Sequence, residues 1–388
     1  MSSTKLILAL MTVMLILTLT VEPVRAQADL PPELGELPDF SQFTIRDEAN
    51  PLQDKTIGVN GNIVKPVSPA KEHVYTKTPK FYFTRNFEAN RYRVEILNLA
   101  TAETTLLTGA GTCDGFYCYL QPTTPLLTRG YNVSGGAYFW RVQFRKGDTW
   151  HGYSSYESFG VLSSGFKSTF DANRKGWVDI RDTWTLTPKG QLKTLGGDPS
   201  TYASVLHKDL VWNFDYTVTL KRKNTEYYSG LVVWGDPNPL QINGLWSDGI
   251  YFLINNAGGY YVCSYQEGIY KELLGLTFSG AIKKYDWNTI RIVGNAPFLD
   301  FWINGTYLGY INIDTAGYAY DDGFLGITMA KDPAGSDAFL VDKASMKADV
   351  FRTELEHDLA FELKSEPGNA TEPELFPTIN LGDATGTR

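Results

Sequence analysis

The stretch Trp287 to Asp314, WNTIRIVGNAPFLDFWINGTYLGYINID, constrains this chain more than any other. Ile290 and Ile292 fall on one side of an alternation, with Thr289, Arg291 and Val293 on the other. Leu299, Phe301 and Ile303 then alternate with Phe298, Asp300 and Trp302. A period of two is that of a strand with one buried face. Asn304-Gly305 separates Ile303 from Thr306. A type I′ turn needs φ > 0 at both central residues, so this pair predicts a tight hairpin with Tyr307 to Ile313 as the returning strand. Strand-like segments extend outward from it over Phe170 to Met346, and the expected fold class is all-β.

Composition agrees. The chain has 388 residues, of which 43% are hydrophobic and 14% aromatic. That is enough for two or three domains with sizeable cores, and aromatic residues favour strands. A net charge of −8 supplies no electrostatic footprint for nucleic acid or an anionic lipid surface.

The N-terminus reads as a targeting segment. Lys5 precedes the apolar run Leu6 to Val21, Glu22-Pro23 breaks it, and small-residue cleavage sites end at Ala26 and Ala28. This pattern predicts a signal peptide over residues 1–28. The run is short for a membrane span of about 20 residues, and no later stretch is long enough. The expected destination is therefore outside the cell or at its surface; an uncleaved N-terminal anchor is the alternative. Export places the Cys residues in an oxidising compartment. Cys113 and Cys118 flank a turn at Asp114-Gly115 and are expected to form a disulfide. Cys263, in YYVCSYQ, reads as a small buried apolar residue. His73, His151, His207 and His357 are scattered, and no Cys/His set has zinc spacing.

Residues 29–64 are acidic and Pro-rich and read as a linker or wrapped arm. Residues 65–162 hold short alternating strands at regular spacing, which suggests an antiparallel sandwich. The series TPKFYFT, RYRVEIL, TCDGFYC and YFWRVQFRKGDTWHGYSSYESFGV resembles a bacterial fibronectin type III-like module. That resemblance implies a spacer or adhesive unit. Residues 165–346 carry Gly176-Trp177, then Phe214, Tyr216, Val218 and Leu220, then Trp287, Asn288 and Arg291 before Asn304-Gly305, and finally Asp342. This order resembles the concanavalin A-like jelly roll in its laminin G-like branch, and it is also similar to domains assigned to keto-disaccharide hydrolysis. The shared motifs imply the fold. In residues 349–388, Phe351, Leu355, Leu359 and Leu363 recur every four positions and predict a short helix, followed by a polar tail expected to be disordered.

Two carboxylate patterns invite chemistry. Glu356, Asp358 and Glu362 are similar to the catalytic motif of laminarinase-like hydrolases, but with longer spacing. A retaining pair sits roughly 5 Å apart, whereas an extended strand would separate Glu356 from Glu362 by about 20 Å. A solvated helix face is the better reading. Asp314, Asp321, Asp322 and Asp342 are candidate calcium ligands, although Asp is common in turns for other reasons. Calcium is accordingly the one cofactor considered.

The leading candidate site is aromatic. Trp234, Trp246, Tyr251, Tyr260, Tyr261, Tyr265 and Tyr270 lie near Asp236, Asp248 and Gln266. Sugar rings have apolar CH faces that stack on aromatic rings, and hydroxyls that need fixed polar partners. The ligand-binding set expected is Trp234, Asp236, Trp246, Asp248, Tyr251 and Tyr265. Against it stands the ordinary use of aromatics to fill a core, since alternation sends about half of them inward. The expected function is non-catalytic binding or adhesion, with a cell-surface or extracellular glycan as partner. One alternative is a structural subunit that self-assembles through strand edges and the C-terminal helix. The other is a glycoside hydrolase using Asp236 and Asp248.

Overall fold

The computed structural model describes residues 39, 42–46, 51–52, 64–131, 135–195, 201–318, 322–331 and 338–348. The expected signal peptide, the C-terminal helix and tail, the Glu356 to Glu362 motif and most of the 29–64 arm lie outside the described residues. The described chain is nearly all β, built of sandwich sheets, as expected.

One sheet of the first sandwich runs, in spatial order, Thr44–Ile45, Glu72–Val74, Glu157–Val161, Ala137–Lys146, Arg91–Asn98 and Thr104–Gly109. The other runs Pro66–Ser68, Phe81–Thr84, Tyr117–Leu120 and Thr112–Asp114. Tyr92, Val94 and Ile96 point inward, as their alternation requires, and meet Phe81, Phe83, Trp140 and Phe159. Full burial of each such side chain contributes about 1.5–3 kcal/mol. The Trp140 indole N–H donates to the Pro69 carbonyl at 2.6 Å, so the largest ring leaves no buried donor unmet. The expected disulfide forms, joining the cross-strand partners Cys113 and Cys118. Part of the arm also has a place: Thr44–Ile45 adds to the sheet edge in parallel with Glu72–Val74.

In the second sandwich the back sheet runs Thr185–Leu186, Leu192–Thr194, Phe339–Ala348, Phe214–Arg222, Asn288–Asn295, Phe298–Ile303 and Thr306–Asn312. The front sheet runs Trp177–Arg181, Tyr202–Val211, Gly323–Ala330, Ser229–Leu240, Trp246–Ile254, Gly259–Gln266 and Ile269–Phe278. The chain crosses from sheet to sheet repeatedly, the habit of jelly rolls. The predicted hairpin at Asn304-Gly305 forms, with Ile303 opposite Thr306 and Leu299 opposite Ile311, and the preceding strand joins it with Ile290 opposite Ile303 and Ile292 opposite Phe301. Asn304 and Gly305 take φ of 51° and 82°. The Asn304 side chain adds a second constraint. Its carbonyl accepts from the Thr289 N–H at 2.9 Å and its amide donates to the Ala281 carbonyl at 2.7 Å.

The inner faces of both sheets share one core, including Val218, Ile290, Ile292, Phe301, Val233 and Phe252. A second apolar layer covers the other face of the front sheet. One register row carries it across five strands. Leu206 pairs with Gly326, Gly326 with Val232, Val232 with Tyr251, and Tyr251 with Cys263.

Candidate functional site: an acidic cleft beside a tyrosine floor

The cleft begins with a break in a strand. Ser229–Leu240 pairs regularly with Trp246–Ile254 as far as Val233, where the register shifts. At the shift Trp234 takes a left-handed φ of 46°. Its ring packs into the inter-sheet core against Phe214, centroids 5.4 Å apart, and its N–H donates to the Trp212 carbonyl at 2.7 Å. The neighbouring strand must come very close to accommodate this kink. A Cβ on Gly323 would fall 2.5 Å from the Trp234 carbonyl carbon, so only glycine fits. Bulges in this position re-aim side chains. Here the result is that Asp236 faces Asp248 across the two strands.

Asp236, Asp248 and Asp322 line a cleft of about 230 Å³, with Leu210 and Phe324 as apolar walls and Trp234 to Gly235 beneath. Asp236 is exposed, and its Oδ1 accepts from the Asn238 N–H at 2.9 Å. Even so, partial desolvation, reinforced by the Asp248 charge, pushes its carboxyl above the usual range. Asp248 is half-buried and accepts from the Glu267 N–H at 2.8 Å. Burial raises the Asp322 carboxyl too; Arg129 opposes the rise, while Asp236 and Asp39 add to it. Like charges gathered in a partly dehydrated site produce this pattern.

The rest of the open face is a floor of tyrosines. Tyr265 pairs with Gly249 at the end of the strand. Tyr265 is half-buried, stands edge-on to buried Tyr251 at 5.6 Å, and meets exposed Tyr270 at the same distance. Further along, Tyr228 and Tyr261 are T-stacked at 4.7 Å, and Tyr261 hydrogen-bonds Tyr202. Burial pushes the Tyr202 hydroxyl up to about 12, and it lifts the Cys263 thiol to about 12 as well.

Three residues of the expected ligand-binding set do not present rings to solvent. Trp234 is buried in the inter-sheet core. Trp246 is wholly buried, lying flat over Gly235 and Gly326, where an added Cβ would come within 2.5 Å of the indole. Its N–H donates to Ser204 Oγ at 3.0 Å. Tyr251 is buried beneath it, its hydroxyl accepting from the Trp246 N–H and donating to the Trp246 carbonyl. These rings are packing residues, because two absent Cβ atoms create a slot that only a large flat side chain fills. Tyr260 is buried in the inter-sheet core as well. The structure does bring Asp236 and Asp248 together, while Tyr265 lies outside the cleft lining, against Tyr251 and Tyr270. Sequence reasoning missed Asp322 as a cleft residue, and it missed Tyr202, Tyr228 and Phe324. The available signal was glycine within strands at 235, 323 and 326, which marks bulges or close approach.

The suggested calcium ligands fall on different elements. Asp314 is in the helical turn Ile313–Ala316, Asp322 is in the cleft, Asp342 is in the strand Phe339–Ala348, and Asp321 is outside the described residues. Among the described residues no group of three or more His, Cys, Asp or Glu is arranged to hold a metal ion. Among them, too, no helix is long and apolar enough to cross a membrane.

No protein-family model matches this chain, and no curated protein does. Similar solved structures include the carbohydrate-binding module CBM66 from Bacillus subtilis, at 11% identity and a TM-score of 0.37, covering 45% of this chain and 98% of that one. A Bacillus licheniformis beta-glucanase matches at 11% identity and a TM-score of 0.37, covering 48% and 99%. A Bacillus subtilis protein of unknown function with a galectin-like fold matches at 10% identity and a TM-score of 0.40, covering 49% and 99%.

Proposed function

We propose that this chain binds carbohydrate without catalysis, on the open face of the front sheet of its second sandwich, and that it does so after export. One observation carries the reading: Asp236, Asp248 and Asp322 line one cleft that has the half-buried Phe324 ring in its wall. A carboxylate accepts hydrogen bonds at two oxygens, which suits vicinal hydroxyls. The Tyr265 and Phe324 rings offer apolar faces for sugar C–H groups. Binding sites of this kind combine apolar walls with a few fixed polar groups.

The test is a glycan array probed with the full chain, with calcium and with chelator. Specific signal that is lost in both Asp248→Asn and Tyr265→Ala supports the site. Signal that survives both substitutions removes it, and no signal under either condition shifts the weight to a structural subunit.

A glycoside hydrolase is the second reading, and the raised carboxyls of Asp236 and Asp322 favour it. A carboxyl whose pKa is raised is a better general acid toward a leaving oxygen. Release of reducing ends from array-positive polysaccharides, abolished in Asp236→Asn, would establish it; binding without release would exclude it.

A further inference from the structure

We infer that the cleft is a joint product of both sandwiches: the 129–131 segment of the first fixes two of its walls, and Arg129 at its start carries a charge that acts on Asp322. This rests on the cleft being the ligand site proposed above.

The segment belongs to the first sandwich by its hydrogen bonding, since the Arg129 N–H donates to the Val161 carbonyl at 2.8 Å. Gly136, on that same sandwich, approaches so closely that a Cβ there would lie 2.0 Å from the Arg129 nitrogen. From this anchorage the segment runs along the second sandwich. Gly130 bridges to Asp209, the Tyr131 N–H donates to the Lys208 carbonyl at 2.6 Å, and the Leu210 N–H donates to the Arg129 carbonyl at 3.4 Å. Leu210 is a wall of the cleft. Its other wall, Phe324, takes the Tyr131 ring edge-on at 5.4 Å. Both apolar walls are thus held by Arg129 and Tyr131 of the neighbouring sandwich.

The charge follows the same route. Arg129 is the cation acting on Asp322, while Asp236 and Asp39 act on it with the opposite sign and Asp248 acts on Asp236. Three carboxylates crowded in one cleft repel each other, and the Arg129 charge opposes the rise of the Asp322 carboxyl.

The experiment uses the full chain and does not depend on a ligand. Carboxyl carbon NMR follows the titration of Asp322, assigned with Asp322→Asn. In Arg129→Gln the Asp322 midpoint moves up from its wild-type value, because the opposing Arg129 charge is gone; in Arg129→Lys it stays near wild type. Tyr131→Ala broadens or shifts the Phe324 ring signals and leaves the Asp322 midpoint close to wild type. An Asp322 midpoint unmoved in a folded Arg129→Gln variant overturns the inference. On the glycan array, Arg129→Gln weakens wild-type-positive spots most at acid pH, where Asp322 is now protonated. If the wild-type array is blank while the NMR midpoint moves, the joint cleft stands and the carbohydrate reading falls.

Discussion

Asp236 and Asp248 are cross-strand partners between two register shifts, and both line the same cleft. Two carboxylates so placed cannot ionise independently. Replacing Asp248 with Asn removes the like charge, and the Asp236 midpoint moves down toward the ordinary carboxylate range. The measurement is a carboxyl NMR titration of wild type and variant. An unchanged Asp236 midpoint would show that burial alone holds it up.

Trp246 should matter for stability whatever binds above it. It is wholly buried with its N–H satisfied by Ser204. Trp246→Ala costs about 3–5 kcal/mol, the usual range for a buried large aromatic. Gly326→Ala overfills the same slot and costs about 1–3 kcal/mol. Urea unfolding midpoints of both variants test this; a neutral Gly326→Ala would contradict the packing described for the indole.

His207 makes stability depend on pH. It is buried, stacked on Phe166 with centroids 3.6 Å apart and edge-on to Trp177, beside Asp209 and Lys208. Burial lowers its pKa from 6.5 to about 4, with Asp209 opposing and Lys208 assisting. Between those values the unfolded chain binds more protons than the folded one, so stability falls as pH drops from 6.5 toward 4 and flattens below. At 1.36 kcal/mol per unit the loss is on the order of 3 kcal/mol. Denaturant midpoints across that window, compared with His207→Gln, measure it; equal slopes in the two proteins would refute the assignment.

The Cys113–Cys118 bridge closes a short loop, with a sequence separation of 5. Loop-closure entropy for so few residues gives about 2 kcal/mol. Reductant should lower the wild-type unfolding free energy from urea titration by that amount and leave Cys113→Ser unaffected.

Cys263 should be inert in the native state. Its thiol is buried and pushed up to about 12, and the thiolate is the reactive species. A thiol reagent at pH 8 should label it only after unfolding; rapid native labelling would mean the tyrosine floor opens.

Local order was legible wherever a short-range rule sufficed. The hairpin around Asn304-Gly305 follows from a two-residue turn and a strict alternation, so Ile290, Ile292, Phe301 and Ile303 are buried as their spacing required. The Cys113–Cys118 pairing needed only a turn between neighbours, and Cys263 read as a buried thiol because it sits in an apolar strand. What alternation could not decide was the side of the sheet on which each aromatic ring of the site would lie, or whether that side would be covered. A bulge at Trp234 changes the phase of the strand and sends that ring into the core. Gly235 and Gly326, contributed by different strands, open the slot that buries Trp246. Asp322 joins Asp236 and Asp248 only because the strand beginning at Gly323 lies beside the bulge. The sequence by itself determined strands, turns and the all-β class, since each depends on residues a few positions apart. The cleft was decided by tertiary structure, because its walls come from distant segments whose contact depends on missing Cβ atoms and on how the two sandwiches meet.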